Sequence, residues 1–375
     1  MKRDKAGSLL NIRFMKDGFE QNNNERGVSI VESKELMLKN SSFVKTVLML
    51  FVILGHAVNF WNGSWFNVYS PIFESGSLAL LSGWVNSFHI YAFTLVSGYI
   101  FMFKMIGGGY SKLNLFVANK GKRLLVPYLF VALVWVIPIS QHYYHWNAIE
   151  IFKKYILCIN PSQLWFLWML FWVFIISWLL WKWLTNSIHI GAAIFLFLYC
   201  VGFIGNKFVP NIFCIFTALQ YMPFFYIGMV IRLKQEKNEC IHITKIKTIY
   251  WIIADLVVFG LFQMLEVRNT PSIISIPMQF LLHIIGALMA FVVLQKLANR
   301  VNWKESKVFT LLSKNSMPVY LFHQQVIYVF ISLLNGVINP YLHAGINFIG
   351  AMVISLLIST LLMKFKWTRF LIGEK

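Results

Sequence analysis

The stretch FVKTVLMLFVILGHAVNFW, residues 43–61, is apolar apart from a few residues that include Lys45, His56 and Asn59. An α-helix rises about 1.5 Å per residue, so about 20 apolar residues span the roughly 30 Å hydrocarbon core of a bilayer. The stretch therefore predicts a transmembrane helix.

Nine further apolar runs of similar length follow this first one. They lie at 78–103, 124–140, 164–183, 187–204, 212–231, 248–265, 277–295, 317–334 and 345–363. Of all residues, 58% are hydrophobic and only 13% are charged. Soluble domains usually carry about 25% charged residues. The chain is therefore predicted to be an all-α, polytopic integral membrane bundle of ten transmembrane helices.

The distribution of basic residues predicts the orientation in the membrane. The chain has 33 lysines and arginines, and cytoplasmic loops of membrane proteins carry an excess of these residues. With the N-terminus inside, the outer loops contain only Lys153, Lys154, Lys207 and Arg268. We therefore expect a multi-pass protein of the cell membrane with both termini in the cytoplasm.

The hydropathy pattern divides the chain into three parts. Residues 1–40 are polar and lack the apolar core of a signal peptide, which predicts a largely disordered cytoplasmic arm and leaves open a short surface helix near its end. Residues 41–364 contain the ten predicted helices and form one membrane domain. Residues 365–375 are a short cytoplasmic tail.

Charge and cysteine content exclude two classes of function. The net charge of +19 is spread over short clusters without any nucleic-acid-binding motif, so no nucleic-acid partner is expected. The four cysteines lack CxxC spacing and are predicted to lie at different depths or on different sides. Structural disulfides and a metal site are therefore not expected.

Two ionisable residues of the first helix are predicted to face the same way. Lys45 and His56 are eleven residues apart, which is three helical turns plus about 20°, with a rise of about 16 Å. Lys45 would lie at the cytoplasmic edge and His56 near the midplane, with Asn59 one turn further out. The alternatives are a snorkelling anchor for Lys45 and a packing histidine for His56.

Other polar residues extend this candidate site. His89 of the second helix would line the same cavity as His56, or form an interhelical hydrogen bond. Lys120, Lys122 and Arg123 begin the third helix at the cytoplasmic side and suit phosphates or anionic lipid headgroups, or act as simple anchors.

Three further segments contribute candidate site residues. Trp165 opens the fourth helix, as a sugar-stacking platform or an interface aromatic. Tyr320 and His323 share one face of the ninth helix. Glu74 is the acid nearest in sequence to His56 and would orient its imidazole if the loop folds inward, whereas a solvated loop acid is the alternative.

Several motifs, taken in order from residue 40 to 364, resemble the membrane acyltransferase-3 family. Residues 52–56, VILGH, resemble its first-helix signature, and residues 87–89 with 97–99 are similar to its second-helix pattern. Comparable features occur at Lys122-Arg123 with Pro127-Tyr128, at 165–167, at 221–225 with Gly228, and at Ser316, Tyr320 and His323.

The resemblance implies transfer of an acetyl or succinyl group from cytoplasmic acyl-CoA to a carbohydrate hydroxyl, without a permanently bound cofactor. The family often has arginine where this chain has Lys45, and an arginine also often takes the place of Lys120. A lysine keeps the positive charge but loses the bidentate fork of the guanidinium.

Chemistry and resemblance together predict an O-acetyltransferase. His56 would be the general base, because burial favours the neutral imidazole, and His89 would polarise the thioester or orient the acceptor. Contacts to CoA phosphates are predicted for Lys45, Lys120, Lys122 and Arg123. Contacts to the polysaccharide or lipid-linked glycan are predicted for Asn59, Glu74, Trp165, Tyr320 and His323. The alternative functions are a flippase or transporter for a lipid-linked glycan, and a non-catalytic export subunit.

Overall fold

Ten long helices form the fold. The computed structural model describes residues 24–63, 65–237, 245–268 and 270–374, and within these ranges it contains no β-strand. The helices are α1 (Asn24–Val58), α2 (Gly76–Ile106), α3 (Leu113–Val131), α4 (Trp165–Asn186), α5 (Ile188–Phe208), α6 (Ile215–Glu236), α7 (Thr248–Val267), α8 (Ser272–Ala298), α9 (Ser316–Leu334) and α10 (Pro340–Leu362).

The ten predicted membrane spans are confirmed. Among the described residues, ten helices are long and apolar enough to cross a membrane, and each overlaps one of the predicted runs. Helix α1 begins at Asn24, before the predicted run at 43–61, so residues 24–40 are helical and continuous with the first span. Residues 1–23 lie outside the described residues.

The third span is longer than its predicted run because the helix changes its hydrogen-bond register without ending. After α3, residues Ala132–Val136 form a π-helical turn, and Ile137–Tyr144 continue as α-helix. Pro138 is the second residue after the turn, and proline has no N–H to donate to the usual i−4 carbonyl. The span therefore runs from Leu113 to Tyr144.

The centre of the bundle is the contact between α2 and α6. A Cβ atom added to Gly98 would lie 1.9 Å from the Phe225 carbonyl oxygen, and one added to Gly228 would lie 1.9 Å from the Leu95 carbonyl oxygen. Only glycine permits this backbone approach, which is typical of tightly packed membrane helices. The α2 helix also packs against α1 and α8, so it lies among three neighbouring helices at the centre of the bundle.

Helix α7 lies at the periphery, and a buried acid attaches it to the centre. Only 6% of its most apolar window is buried inside the protein. Asp255 is nevertheless 0% exposed and accepts a hydrogen bond of 2.8 Å from the Trp84 indole of α2. Asp255 therefore makes a helix-pairing contact.

The predicted separation of the cysteines is wrong for one pair. Cys158 and Cys214 are both buried, and the Cys214 thiol donates to the Cys158 carbonyl oxygen at 3.2 Å. The left-handed backbone at both residues brings the loop before α4 against the start of α6, a long-range contact that spacing does not reveal. Both thiols are free, as is Cys200, and Cys240 lies outside the described residues.

Candidate active site

A basic vestibule opens where α2 ends and α3 begins. It has a volume of about 980 Å³. Residues 107–109 are three glycines, and Gly108 has a φ of +73°, so the chain turns sharply between the two helices. The cations that line the vestibule are Lys104, Lys120, Lys122, Arg123 and Arg232. The structure thus brings the predicted basic cluster together with two further cations.

A narrow channel leads from the vestibule into the bundle, between α1, α2, α4 and α9. Its volume is about 160 Å³, and Lys104, Tyr110, Lys120 and Arg123 line both spaces. Lys45 also lines the channel and is half-buried. Past these cations the wall is almost wholly apolar, and its deepest residues along the helices are Val52, Ile90, Phe93, Phe166 and Tyr320.

Lys120 is held by aromatic rings at the junction of the two spaces. Its Nζ lies 3.3 Å from the centroid of the Phe174 ring, 5.2 Å from that of Tyr110 and 5.4 Å from that of Phe116. Cation–π attraction offsets part of the cost of removing an ammonium group from water. The Lys120 side chain therefore lies against three aromatic rings at the narrowing of the passage.

The C-terminal tail folds back onto the vestibule. Residues Lys366–Leu371 form a short helix, and Ile372 is fully buried. A Cβ atom on Gly373 would lie 2.8 Å from the Arg123 carbonyl oxygen, so the tail packs directly on α3. Glu374 lines the vestibule; burial raises the pKa of its carboxyl, and the charges of Arg123 and Lys45 partly oppose this shift.

The α1 face that lines the channel continues to His56. Lys45, Met49 and Val52 line the channel at helical spacing, and His56 is the next residue of the same stripe. On the opposite wall Tyr320 lines the channel, and His323 follows three residues later in α9. The two histidines therefore lie about one helical turn, roughly 5 Å, beyond the inner end of the channel.

His56 and His323 form a hydrogen-bonded pair. The His56 Nδ1 and His323 Nε2 atoms are 2.7 Å apart, and the His323 Nδ1 atom lies 2.6 Å from the Tyr320 carbonyl oxygen. His323 is 0% exposed, whereas His56 is only half-buried, so a water-sized space touches its side chain. On its other side the His56 ring faces the Trp65 ring, with centroids 5.4 Å apart.

A polar cluster formed by α2 and by the 3-10 turn Asn59–Asn62 that follows α1 lies beside this pair. His89 Nδ1 lies 2.6 Å from the Val85 carbonyl oxygen. Asn59 Oδ1 accepts hydrogen bonds from Ser82 Oγ at 2.5 Å and Asn86 Nδ2 at 2.6 Å. A Cβ atom on Gly55 would lie 3.6 Å from His89 Cε1, so His89 packs across the backbone next to His56.

The structure does not bring Glu74 to His56. Glu74 is exposed, and the described contacts of the His56 ring are with His323 and Trp65. The condition for orienting the imidazole, a loop folded inward, is therefore not met, and Glu74 is the solvated loop acid of the alternative prediction. Trp165 is half-buried, with its ring centroid 6.1 Å from Phe166, which lines the channel.

Sequence reasoning missed several residues around the pair. Trp65 lies in the loop after the first span and contacts both His56 and Tyr328, with ring centroids 5.2 Å apart for the latter. The Tyr320 hydroxyl donates to the backbone carbonyl oxygen of Gln163, and the Gln163 side-chain Nε2 donates to Gln325 Oε1 at 2.7 Å. A glutamine pair in the middle of an apolar helix, at 324–325, is the signal that could have indicated this network.

Comparison with known protein families identifies the class. A model of the acyltransferase domain of the acyltransferase-3 family matches residues 39–364, which is most of the chain. The protein belongs to this family and is a multi-pass membrane acyltransferase. Comparison with curated proteins and with solved structures gives no match.

Proposed function

We propose that the protein moves an acetyl or succinyl group from cytoplasmic acyl-CoA to a hydroxyl group of a cell-surface or lipid-linked polysaccharide. One observation carries this proposal. A basic vestibule narrows into an apolar channel whose α1 and α9 walls lead, one turn further on, to the hydrogen-bonded pair His56–His323.

The vestibule and channel suit the two ends of acyl-CoA. CoA carries its phosphates at one end of a long, flexible pantetheine arm and the acyl group at the other. Arg123 can grip a phosphate with two parallel N–H groups, whereas Lys45 and Lys104 act as point charges. The apolar wall past these cations would enclose the arm and direct the thioester inward. Because basic residues favour the cytoplasmic side, we assign the vestibule to that side.

In the proposed reaction His56 removes the proton from the acceptor hydroxyl as its oxygen attacks the thioester carbonyl carbon. The new C–O bond forms, the C–S bond breaks, and the departing sulfur takes the proton from the imidazolium to leave free CoA thiol. A route through an acetylated His56 requires the same residues in two steps.

The role of His89 follows from its hydrogen bond. A carbonyl oxygen only accepts, so His89 Nδ1 donates to Val85, and in the neutral ring Nε2 bears a lone pair. A neutral His89 can then accept a proton from a hydroxyl but cannot donate to a thioester carbonyl. We therefore favour acceptor orientation over polarisation of the thioester.

The surroundings of the histidines support a carbohydrate acceptor. The Trp65 and Trp165 rings provide faces for stacking, and Asn59 and Asn86 provide amides for hydroxyl groups. A flippase would need a passage through the bundle for a whole glycan. The channel of about 160 Å³ with an inner end at Val52 and Tyr320 favours the enzyme instead.

The test is the acetyl content of surface glycans in a strain that lacks the gene and carries either the wild type, His56→Ala, or the control His189→Ala, whose side chain is exposed at the start of α5. Mass spectrometry should find ester-linked acetyl with the wild type and the control but not with His56→Ala, while the polymer itself still reaches the surface. Loss of the whole polymer would indicate transport. Unchanged acetyl with His56→Ala would remove His56 from the mechanism.

A further inference from the structure

The hydrogen-bond partners of His323 determine which of its nitrogens carries hydrogen. His323 Nδ1 lies 2.6 Å from the Tyr320 carbonyl oxygen. A carbonyl oxygen can accept but never donate, so Nδ1 must carry the hydrogen. In a neutral imidazole the other nitrogen, Nε2, then bears only a lone pair.

The same reasoning shows which nitrogen of His56 carries hydrogen. Its Nδ1 atom lies 2.7 Å from His323 Nε2, which can only accept, so His56 Nδ1 carries the hydrogen. The ring planes differ by 10° and the ring centroids are 4.9 Å apart. Parallel rings whose nitrogens approach to 2.7 Å are too close for face-to-face stacking, so the two rings meet edge to edge, as an in-plane N–H···N bond requires.

We infer that His323 is a positioning residue that holds His56, through a chain anchored on the Tyr320 carbonyl oxygen, in the tautomer whose Nε2 is the free base. The inference rests on the proposed function and assigns the reacting atom within it. His323 does not touch the substrates in this arrangement. It acts through His56, in contrast to the direct substrate contact that the sequence suggested for it.

This arrangement has two physical consequences. The base nitrogen of His56 is available without a tautomer exchange, and its ring is held by His323 on one edge and by Trp65 on one face. When Nε2 takes up the hydroxyl proton, the Nδ1–H donor becomes charged, and its bond to His323 strengthens in the transition state.

A neutral imidazole, His323, is better suited than a carboxylate to orient His56 inside a membrane. No carboxylate contacts either ring among the residues that the structure describes. A carboxylate at this depth would carry a large desolvation cost. A second imidazole supplies the acceptor without a resting charge.

Three substitutions of His323 separate positioning from packing. In His323→Gln the longer amide can still accept from His56 Nδ1. In His323→Asn the shorter amide can still donate to the Tyr320 carbonyl oxygen but cannot reach His56. His323→Leu removes both contacts. Membranes of the gene-deleted strain that carry each full-length variant are supplied with radiolabelled acetyl-CoA, and transfer to the strain's own surface glycan is followed at equal amounts of folded protein.

We expect His323→Asn and His323→Leu to lower kcat by about 100-fold, the lower range for a mispositioned general base, with the KM for acetyl-CoA unchanged. His323→Gln should keep kcat within about 10-fold of the wild type. Combined with His56→Ala, His323→Asn should cause no further loss, because a residue that acts through another has no effect once that residue is gone.

Two results would overturn the inference: equal kcat values for the Gln, Asn and Leu variants, or a raised KM with an unchanged kcat. Failure of the proposed function has a different signature. If His56→Ala transfers acetyl at the wild-type rate, the base is misassigned whatever His323 does. If His56→Ala is inactive and His323→Asn behaves as the wild type, only the inference about His323 fails. Should His323→Leu not fold, the comparison of Gln with Asn still decides.

Discussion

The basic vestibule lies at the mouth of the channel, the His56–His323 pair lies about one helical turn beyond its inner end, and the two regions use opposite electrostatics. The vestibule contains five cations, of which Arg232 is buried and paired with Glu236, and long-range charge attraction draws a phosphate towards the others before any specific contact forms. The histidine pair lies deep in the bundle, is connected by a 2.7 Å hydrogen bond and ends on a backbone carbonyl. The charges of the vestibule therefore serve donor binding, and the hydrogen-bond geometry of the pair serves the chemical step. Substitutions in the vestibule should change the KM for acetyl-CoA, and substitutions in the pair should change kcat.

The largest effect is expected from a substitution in the His56–His323 pair, and it should appear in kcat. In His56→Gln the side chain keeps hydrogen-bonding capacity but has no basic nitrogen. We expect kcat to fall by about 1,000-fold, within the usual range for general-base catalysis, and the KM for acetyl-CoA to stay within about 2-fold. Radiolabelled acetyl transfer in membranes measures both constants. A large rise in KM would instead indicate that His56 helps to bind the donor.

The second-largest effect is expected from a substitution in the vestibule, and it should appear in the KM for acetyl-CoA. Arg123 lines both the vestibule and the channel, whereas Lys122 lines the vestibule alone. We expect Arg123→Ala to raise the KM for acetyl-CoA by about 10-fold or more, through loss of a charge-assisted phosphate contact, with kcat retained. The matched variant Lys122→Ala should raise it by only about 2-fold, as for an exposed charge. Equal effects of the two would contradict a specific phosphate contact at Arg123.

A smaller effect should come from packing beside the pair. A Cβ atom on Gly55 would lie 3.2 Å from both Asn86 Oδ1 and Val85 Cγ1, so Gly55→Ala pushes α1 away from α2 next to His56. Because small displacements of catalytic groups are costly, we expect kcat to fall by about 5-fold with an unchanged KM. Gly121→Ala is the control, since no atom lies within 4 Å of its Cβ position. A normal kcat for Gly55→Ala would mean that the base tolerates displacement.

The smallest effect concerns Glu374, whose carboxylate opposes the cations of the vestibule. Burial raises the pKa of this carboxyl above its usual 4.5, so it loses its charge at a higher pH than an exposed glutamate. As the pH falls through that raised value, the competing negative charge disappears and the cations attract the donor more strongly. We expect the KM for acetyl-CoA to decrease by about 2-fold in this acidic range, and Glu374→Gln to have the lower KM already at neutral pH.

The Glu374→Gln variant is also its own control, because it should lose this part of the pH dependence while keeping the wild-type kcat. A Glu374→Gln protein with an unchanged KM and an unchanged pH profile would show that the tail does not compete with the donor.

The sequence predicted the vestibule and the spans better than the pair. Apolar runs and basic clusters are local patterns, so the ten helices and the cluster of Lys120, Lys122 and Arg123 could be found from composition and spacing. Helical spacing also predicted that Lys45 and His56 lie on one stripe. Periodicity within α1, however, says nothing about which other helix faces that stripe.

The remaining features depend on contacts between distant segments. His323 is 267 residues from His56, and no local pattern indicates that the two rings meet. Glu74 is the acid nearest in sequence to His56, yet it is exposed in a surface loop, as the alternative of a solvated loop acid predicted. Trp65 was missed because it lies in a loop, where neither helical spacing nor hydropathy gives a signal. The hydrogen bond from the Cys214 thiol to the Cys158 carbonyl oxygen depends on a left-handed backbone at both residues, which hydropathy does not indicate.

The most direct measurement is an electron cryomicroscopy structure of the full chain with a non-hydrolysable acetyl-CoA analogue. The account predicts phosphates at Arg123 and Lys45, the pantetheine arm in the apolar channel, and the acyl carbon about 3.5 Å from a nucleophile site next to His56 Nε2. An analogue bound outside the channel, or an acyl group separated from His56 by the unopened wall at Val52 and Tyr320, would contradict it.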